Sequence, residues 1–226
     1  MKINDKRQTK KLILLASLLI IILVVLICFL KITKKPEREW ASFDANLENV
    51  EDIPVITNFI DPTSDRRPEI EREIKWIVIH ETDNRGSSAG ALNHDTFLHT
   101  DNSQVNSWHY TVDDSVIYHH LPDNEVGWHA GDKKTEDGGN MTGIGIEMCV
   151  NQTGDYQKTL ENTAKLIATL MIAYDLGMDE VKFHQDFSGK ICPHRLITEG
   201  RVKEFRLMIE KEYNKYKEQE KQNESK

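Results

Sequence analysis

Residues 184–193, His-Gln-Asp-Phe-Ser-Gly-Lys-Ile-Cys-Pro, set an imidazole and a thiol eight positions apart with a glycine between them. Borderline-soft nitrogen and sulfur donors suit Zn2+, and a catalytic zinc site needs three protein ligands and one open position. His184 and Cys192 could supply two of the three. The third has to come from elsewhere, and His80, which closes an apolar run 104 residues earlier, is the natural candidate. A site of that kind would polarise a carbonyl and make a water nucleophilic at neutral pH. His80-Glu81-Thr82-Asp83-Asn84 begins like the HExxH helix motif but lacks the second His at helical spacing, and no acidic segment has the calcium-loop pattern. The chain has nine His. Of these, His94 and His99 fall on a predicted surface helix and His119 and His120 at a strand end, positions where a structural role is the expectation.

The elements that must position these side chains alternate in type. Trp76-Ile77-Val78-Ile79 is a short, largely β-branched run ending at His80, the pattern of a buried strand. Residues 89–99 have a partial apolar helical face. Residues 108–112 and 116–119 flank Asp113-Asp114-Ser115, a hairpin signal. Residues 144–150 alternate cleanly, with Ile144, Ile146, Met148 and Val150 on one face and Gly145, Glu147 and Cys149 on the other. Residues 156–176 carry the clearest helical period, with Gly177 where a left-handed cap is expected. A strand at 181–183 runs into His184, and a second long helix covers 199–216 before a polar tail expected to fray. Strands and helices in this order predict one α/β domain, a central mixed sheet flanked by helices.

Composition bounds the remaining possibilities. A chain of 226 residues with 38% hydrophobic and 29% charged side chains can build a packed core and is one domain plus extras. A net charge of −8 argues against nucleic acid as a partner, and three Cys cannot make a disulfide scaffold. Cys149 reads as a small buried thiol, not as a disulfide partner for Cys192. The apolar residues are concentrated in 12–30, nineteen positions whose only polar side chain is Ser17. As a helix this stretch would rise about 28 Å, close to the thickness of a bilayer core. No small-residue cleavage site follows it, so it is expected to be an uncleaved transmembrane anchor. Five basic residues precede it, which predicts a cytoplasmic N-terminus and an extracytoplasmic remainder. The remainder from 39 onward has 20 basic and 35 acidic residues. The resulting division is a basic tail (1–11), an anchor (12–32), a linker (33–54), the folded domain (55–213) and a charged tail (214–226).

Five segments then follow one another at intervals that match a known family: residues 77–82 (IVIHET), 107–110 (SWHY), 127–132 (GWHAGD), 144–147 (IGIE) and 184–193 (HQDFSGKICP). Together they resemble the zinc-dependent N-acetylmuramoyl-L-alanine amidases, a group that spans amidase-type phage lysozymes, wall autolysins and animal peptidoglycan-recognition proteins. The likeness is greatest to the prophage-like and autolytic wall amidases, which have a segment similar to Cys192-Pro193-His194-Arg195-Leu196. It implies one Zn2+ per chain held by His80, His184 and Cys192. It also implies Glu147 as the catalytic carboxylate, Lys190 as its cationic helper, and His129 lining the substrate groove with Trp128 beside it. Peptidoglycan is the implied substrate, and the membrane the second partner through the N-terminal helix. Trp108 stands where the animal and some phage members carry Tyr, so an active-site Tyr role is not carried over. The rival readings are a peptidoglycan-binding receptor without hydrolysis and a hydrolase of another muropeptide amide; the presence of both Cys192 and Glu147 favours the amidase.

Overall fold

The computed structural model describes residues 15–17, 19–24, 38–100 and 104–224, and the chain divides into two compact units, 1–39 and 40–226. In the first unit the described residues 15–17 and 19–24 are helical with exposed apolar side chains. The rest of the predicted 12–30 span lies outside the described residues, and among those described no helix is long and apolar enough to cross a membrane.

The second unit is built on a seven-stranded mixed sheet in the order β1-β2-β5-β4-β6-β3-β7. Its strands are β1 (Asn49–Val50), β2 (Ile53–Thr57), β3 (Trp76–Glu81), β4 (Tyr110–Val112), β5 (Ile117–His119), β6 (Gly143–Met148) and β7 (Val181–Phe183). The centre of the sheet is parallel: β3 lies between β6 and β7, and β6 also pairs with β4. The predicted hairpin of β4 and β5 is antiparallel, with Tyr110 opposite His119.

Alternation along the central strands makes two different faces. Ile77 and Ile79 of β3 and Ile144, Ile146 and Met148 of β6 share one core cluster with Leu160, Ala164, Ile167, Leu170 and Met171 of helix Tyr156–Ala173 and with Phe205 and Ile209 of helix Val202–Glu224. Each such aliphatic side chain contributes about 1.5–3 kcal/mol when fully buried, so this face carries most of the hydrophobic stabilisation. The opposite face meets helix Ala91–Thr100, whose Ala91 packs with Tyr118 and Cys149, while Leu98 packs with Ile60, Trp108 and Leu121.

Helix Tyr156–Ala173 starts at Asp155, whose carboxylate accepts from Lys158 N at 3.1 Å. Its end corrects the sequence expectation. Gly177 is extended (φ −107°), and the left-handed position is Asp175 at φ +51°. Leu176 N donates to Met171 O (2.8 Å) and Asp175 N to Ile172 O (3.3 Å), the paired bonds of a Schellman termination, with a residue type that tolerates the left-handed well.

Two boundaries also differ. The folded unit begins at Trp40, inside the expected linker: Trp40, Ala41, Ala45 and Leu47 pack on the core, and Ile74 N donates to Ala41 O at 2.7 Å. At the other end, helix Val202–Glu224 continues through most of the expected tail. Lys215 pairs with Glu212 one turn away and with Glu51 near the end of the predicted 199–216 helix, and beyond it the sequence is too polar for an apolar period to mark the helix.

Candidate active site

The parallel strands place their C-terminal ends side by side, the edge at which open α/β sheets bind ligands. His80 and Glu147 are register partners on β3 and β6, so both side chains leave the same face. His184 follows β7 directly and is tied in by His184 N donating to Ile79 O at 3.2 Å. After it, the short helix Gln185–Ser188 and Gly189, left-handed at φ +77°, turn the chain back so that Cys192 returns to the strand ends. His80 Nδ1 lies 3.0 Å from His184 Nδ1 and 4.0 Å from Cys192 Sγ. One donor atom from each of the three residues falls within 4.8 Å of the others, and all three residues are buried. Two imidazoles and a thiol converging in this way are a donor set suited to a divalent zinc-like ion.

Electrostatics favour the ligand form of the imidazoles. Burial, reinforced by neighbouring His129 and His184, holds His80 well below the usual histidine range. Burial and the Lys190 charge bring His184 down to about 4. Both rings are neutral at pH 7, with lone pairs available. Burial pushes the Cys192 thiol up to about 12, with Glu147 adding to the shift, so a cation binding there must displace a proton.

Glu147 sits on the floor of an open cleft of about 480 Å3 that is also lined by Trp108, Trp128, His129, Lys190 and Cys192. Its Oε2 is buried and has no hydrogen-bond partner among the described residues. Desolvation raises its pKa to about 8, against the lowering effect of Lys190. A carboxylate poised near neutrality is suited to proton transfer in both directions. Lys190 is exposed at the rim. Trp128 is half-buried beside His129, with Lys134 5.9 Å above its ring.

All seven sequence-predicted residues therefore meet at one cleft. His129 differs from the expected groove-lining residue in one respect. It is 9% exposed, and both its ring nitrogens face protein atoms, His80 Nε2 at 3.0 Å and Gly143 O at 3.1 Å. Tyr110 is on the opposite face, its hydroxyl donating to Asp123 Oδ2, so it takes no part in the cleft. Cys149 is a free buried thiol, and so is Cys192.

Sequence reasoning missed Glu81. This carboxylate is buried immediately after His80 and accepts from Tyr156 OH, from Arg195 N at 2.5 Å and from Leu196 N at 3.2 Å. It thereby fastens the segment just after Cys192 to the strand that carries His80. Burial raises its pKa, opposed by those three donors. The only sequence signal was its place next to a candidate ligand.

Comparison with known proteins gives a consistent picture. Residues 70–195 match the family model described as N-acetylmuramoyl-L-alanine amidase. The chain is 41% identical over 145 residues to the N-acetylmuramoyl-L-alanine amidase CwlH of Bacillus subtilis (strain 168), covering 64% of this chain and 57% of that protein. It is 40% identical over 145 residues to XlyA of the same organism, covering 64% and 48%. The chain thus spans about half the length of these curated relatives. The solved catalytic domain of XlyA superimposes with a TM-score of 0.66 at 38% identity, over 70% of this chain and 99% of that domain. The match covers strands β3 to β7 and every cleft residue named above, and leaves out β1 and β2.

Proposed function

Since the chain belongs to the N-acetylmuramoyl-L-alanine amidase family, we propose that it is a zinc-dependent hydrolase of the amide bond between N-acetylmuramic acid and L-alanine in peptidoglycan. The observation that carries this reading is the convergence of His80, His184 and Cys192 beside Glu147 in one open cleft. Those three residues would hold the ion, which supplies Lewis-acid polarisation of the scissile carbonyl and acidifies water.

The chain's own groups do the rest. Glu147, on the floor of the same cleft, takes the proton of the attacking water and passes it to the leaving amine nitrogen. The Lys190 ammonium, on the same cleft, stabilises negative charge developing on the carbonyl oxygen. Trp128 offers an apolar ring to the glycan or peptide next to the reacting bond.

The N-terminal apolar segment would hold this domain at the outer face of the cytoplasmic membrane, toward the wall. That part of the proposal rests on the nineteen-residue apolar run and its basic flanks. A tethered catalytic domain acts on nearby wall, which favours local remodelling over diffuse lysis.

The test is digestion of purified wall by the chain, with mass spectrometry of the products. Free muramic lactyl groups and new L-alanine amino termini are expected, lost with a chelator and regained with Zn2+. Released disaccharides with intact stem peptides would overturn the assignment. For the anchor, resistance of the protein to alkaline extraction from membranes is expected; a mature N-terminus within residues 33–40 would overturn it.

A further inference from the structure

We propose that His129 is a positioning residue for the metal site: its Nδ1 accepts the proton on His80 Nε2, so that His80 Nδ1 keeps a free lone pair directed at His184 and Cys192. This rests on the zinc reading above and adds to it a role for a residue that the sequence had assigned to the substrate groove.

The assignment follows from a carbonyl that can only accept. Gly143 O lies 3.1 Å from His129 Nε2, so that nitrogen carries the hydrogen. In a neutral imidazole that has its one hydrogen on Nε2, the other nitrogen is the acceptor, and His129 Nδ1 is the atom turned toward His80. His80 Nε2, 3.0 Å away, must donate to it, which leaves His80 Nδ1 unprotonated. That is the atom facing His184 Nδ1 and Cys192 Sγ. A single backbone carbonyl thus fixes the tautomers of two consecutive imidazoles.

The surroundings hold the His129 ring in place. A Cβ on Gly145 would lie 2.7 Å from His129 Cγ and Cδ2, and one on Gly127 would lie 3.3 Å from Cδ2, so two motif glycines leave room for the ring. The backbone is fixed as well: Asn140 Oδ1 accepts from His129 N at 2.8 Å and from Ala130 N at 2.7 Å. With both ring nitrogens engaged, no polar atom of His129 remains for a substrate.

The experiment compares the full-length chain with H129N and H129L, near-isosteric replacements of which only Asn keeps an acceptor at the Nδ1 position. Zinc affinity is read by chelator competition, and Co2+ absorption reports the ligand field. H129L is expected to lose about 10–100-fold in Zn2+ affinity and to alter the Co2+ spectrum. H129N is expected to stay within a few-fold of wild type, and both should melt like wild type in excess chelator. G145A, which forces the ring aside, should reproduce the H129L loss and serves if H129L does not fold. Unchanged affinity and spectrum in H129L, with only KM raised, would overturn the inference and return His129 to the substrate. An H129N defect as large as that of H129L would also overturn it. A wild-type chain that binds no Zn2+ would instead overturn the zinc reading itself.

Discussion

The two faces of strands β3 and β6 are made from alternate residues of the same two segments, yet they are organised on opposite terms. On one face Ile77, Ile79, Ile144, Ile146 and Met148 are fully buried against helices Tyr156–Ala173 and Val202–Glu224. On the other, His80, Gly145 and Glu147 stand with His109 and His129 beneath an open cleft. The first face stabilises by area removed from water. The second holds neutral imidazoles and an unpartnered carboxylate oxygen, each buried at a cost, and is kept in shape by directed contacts such as Asn140 to the 129–130 backbone. One face supplies the stability that the other spends on reactive groups.

Neighbouring substitutions on opposite faces sharpen that contrast. Glu147→Gln should reduce amide hydrolysis by roughly 10²–10⁴ while zinc content and fold persist, as seen by product analysis and metal assay. Loss of metal in this variant would make Glu147 a ligand and blur the division of labour. Ile146→Ala, one residue away, should act the other way, with a stability loss of about 2–5 kcal/mol in denaturant titration and cleft chemistry largely retained in the folded fraction. A large fall in turnover per folded molecule would mean that the faces are not separable.

A smaller effect concerns pH. In the metal-free protein Glu147 has its pKa raised from 4.5 to about 8, so the native state binds more protons than the unfolded state between those values. Its stability should therefore fall as pH rises through that window, and E147Q should lack this slope. Denaturant titrations in chelator at pH 5 and pH 9 should show E147Q gaining on wild type at the higher pH; parallel profiles would mean the carboxylate is well solvated. The smallest expectation lies away from both faces. Lys215→Ala should cost under about 1 kcal/mol, because its pairs with Glu51 and Glu212 are partly exposed. A much larger loss would show that these ion pairs, and not only Phe205 and Ile209, hold the C-terminal helix to the domain.

What could be read from the sequence followed the periodic parts of the chain. The alternation in β6 put Glu147 on the face opposite Ile146, and runs that end in His gave His80 and His184 their strand-end positions. Where period was absent, the reading was less complete. The loop carrying Gly127 to Asp132 has no repeat that tells whether His129 points outward or inward, and only the approach of Gly145 and Gly143 O decides it. Trp40 and Leu47 pack on the core without any regular spacing, so the domain begins earlier than expected. Gly177 drew the helix cap two residues too far, because Asp175 could take the left-handed conformation itself.

The position of β3 between β6 and β7 has a consequence for the order in which the protein can become active. The strand that carries His80 emerges early from the ribosome, but both its neighbours are encoded later, and Glu81 waits for Arg195 and Leu196, 114 and 115 positions downstream. Contacts of such sequence separation close slowly and late in folding. A partly synthesised chain therefore has neither a completed central sheet nor an assembled cleft. The proposed catalytic centre comes into being only after residue 196 has joined the fold.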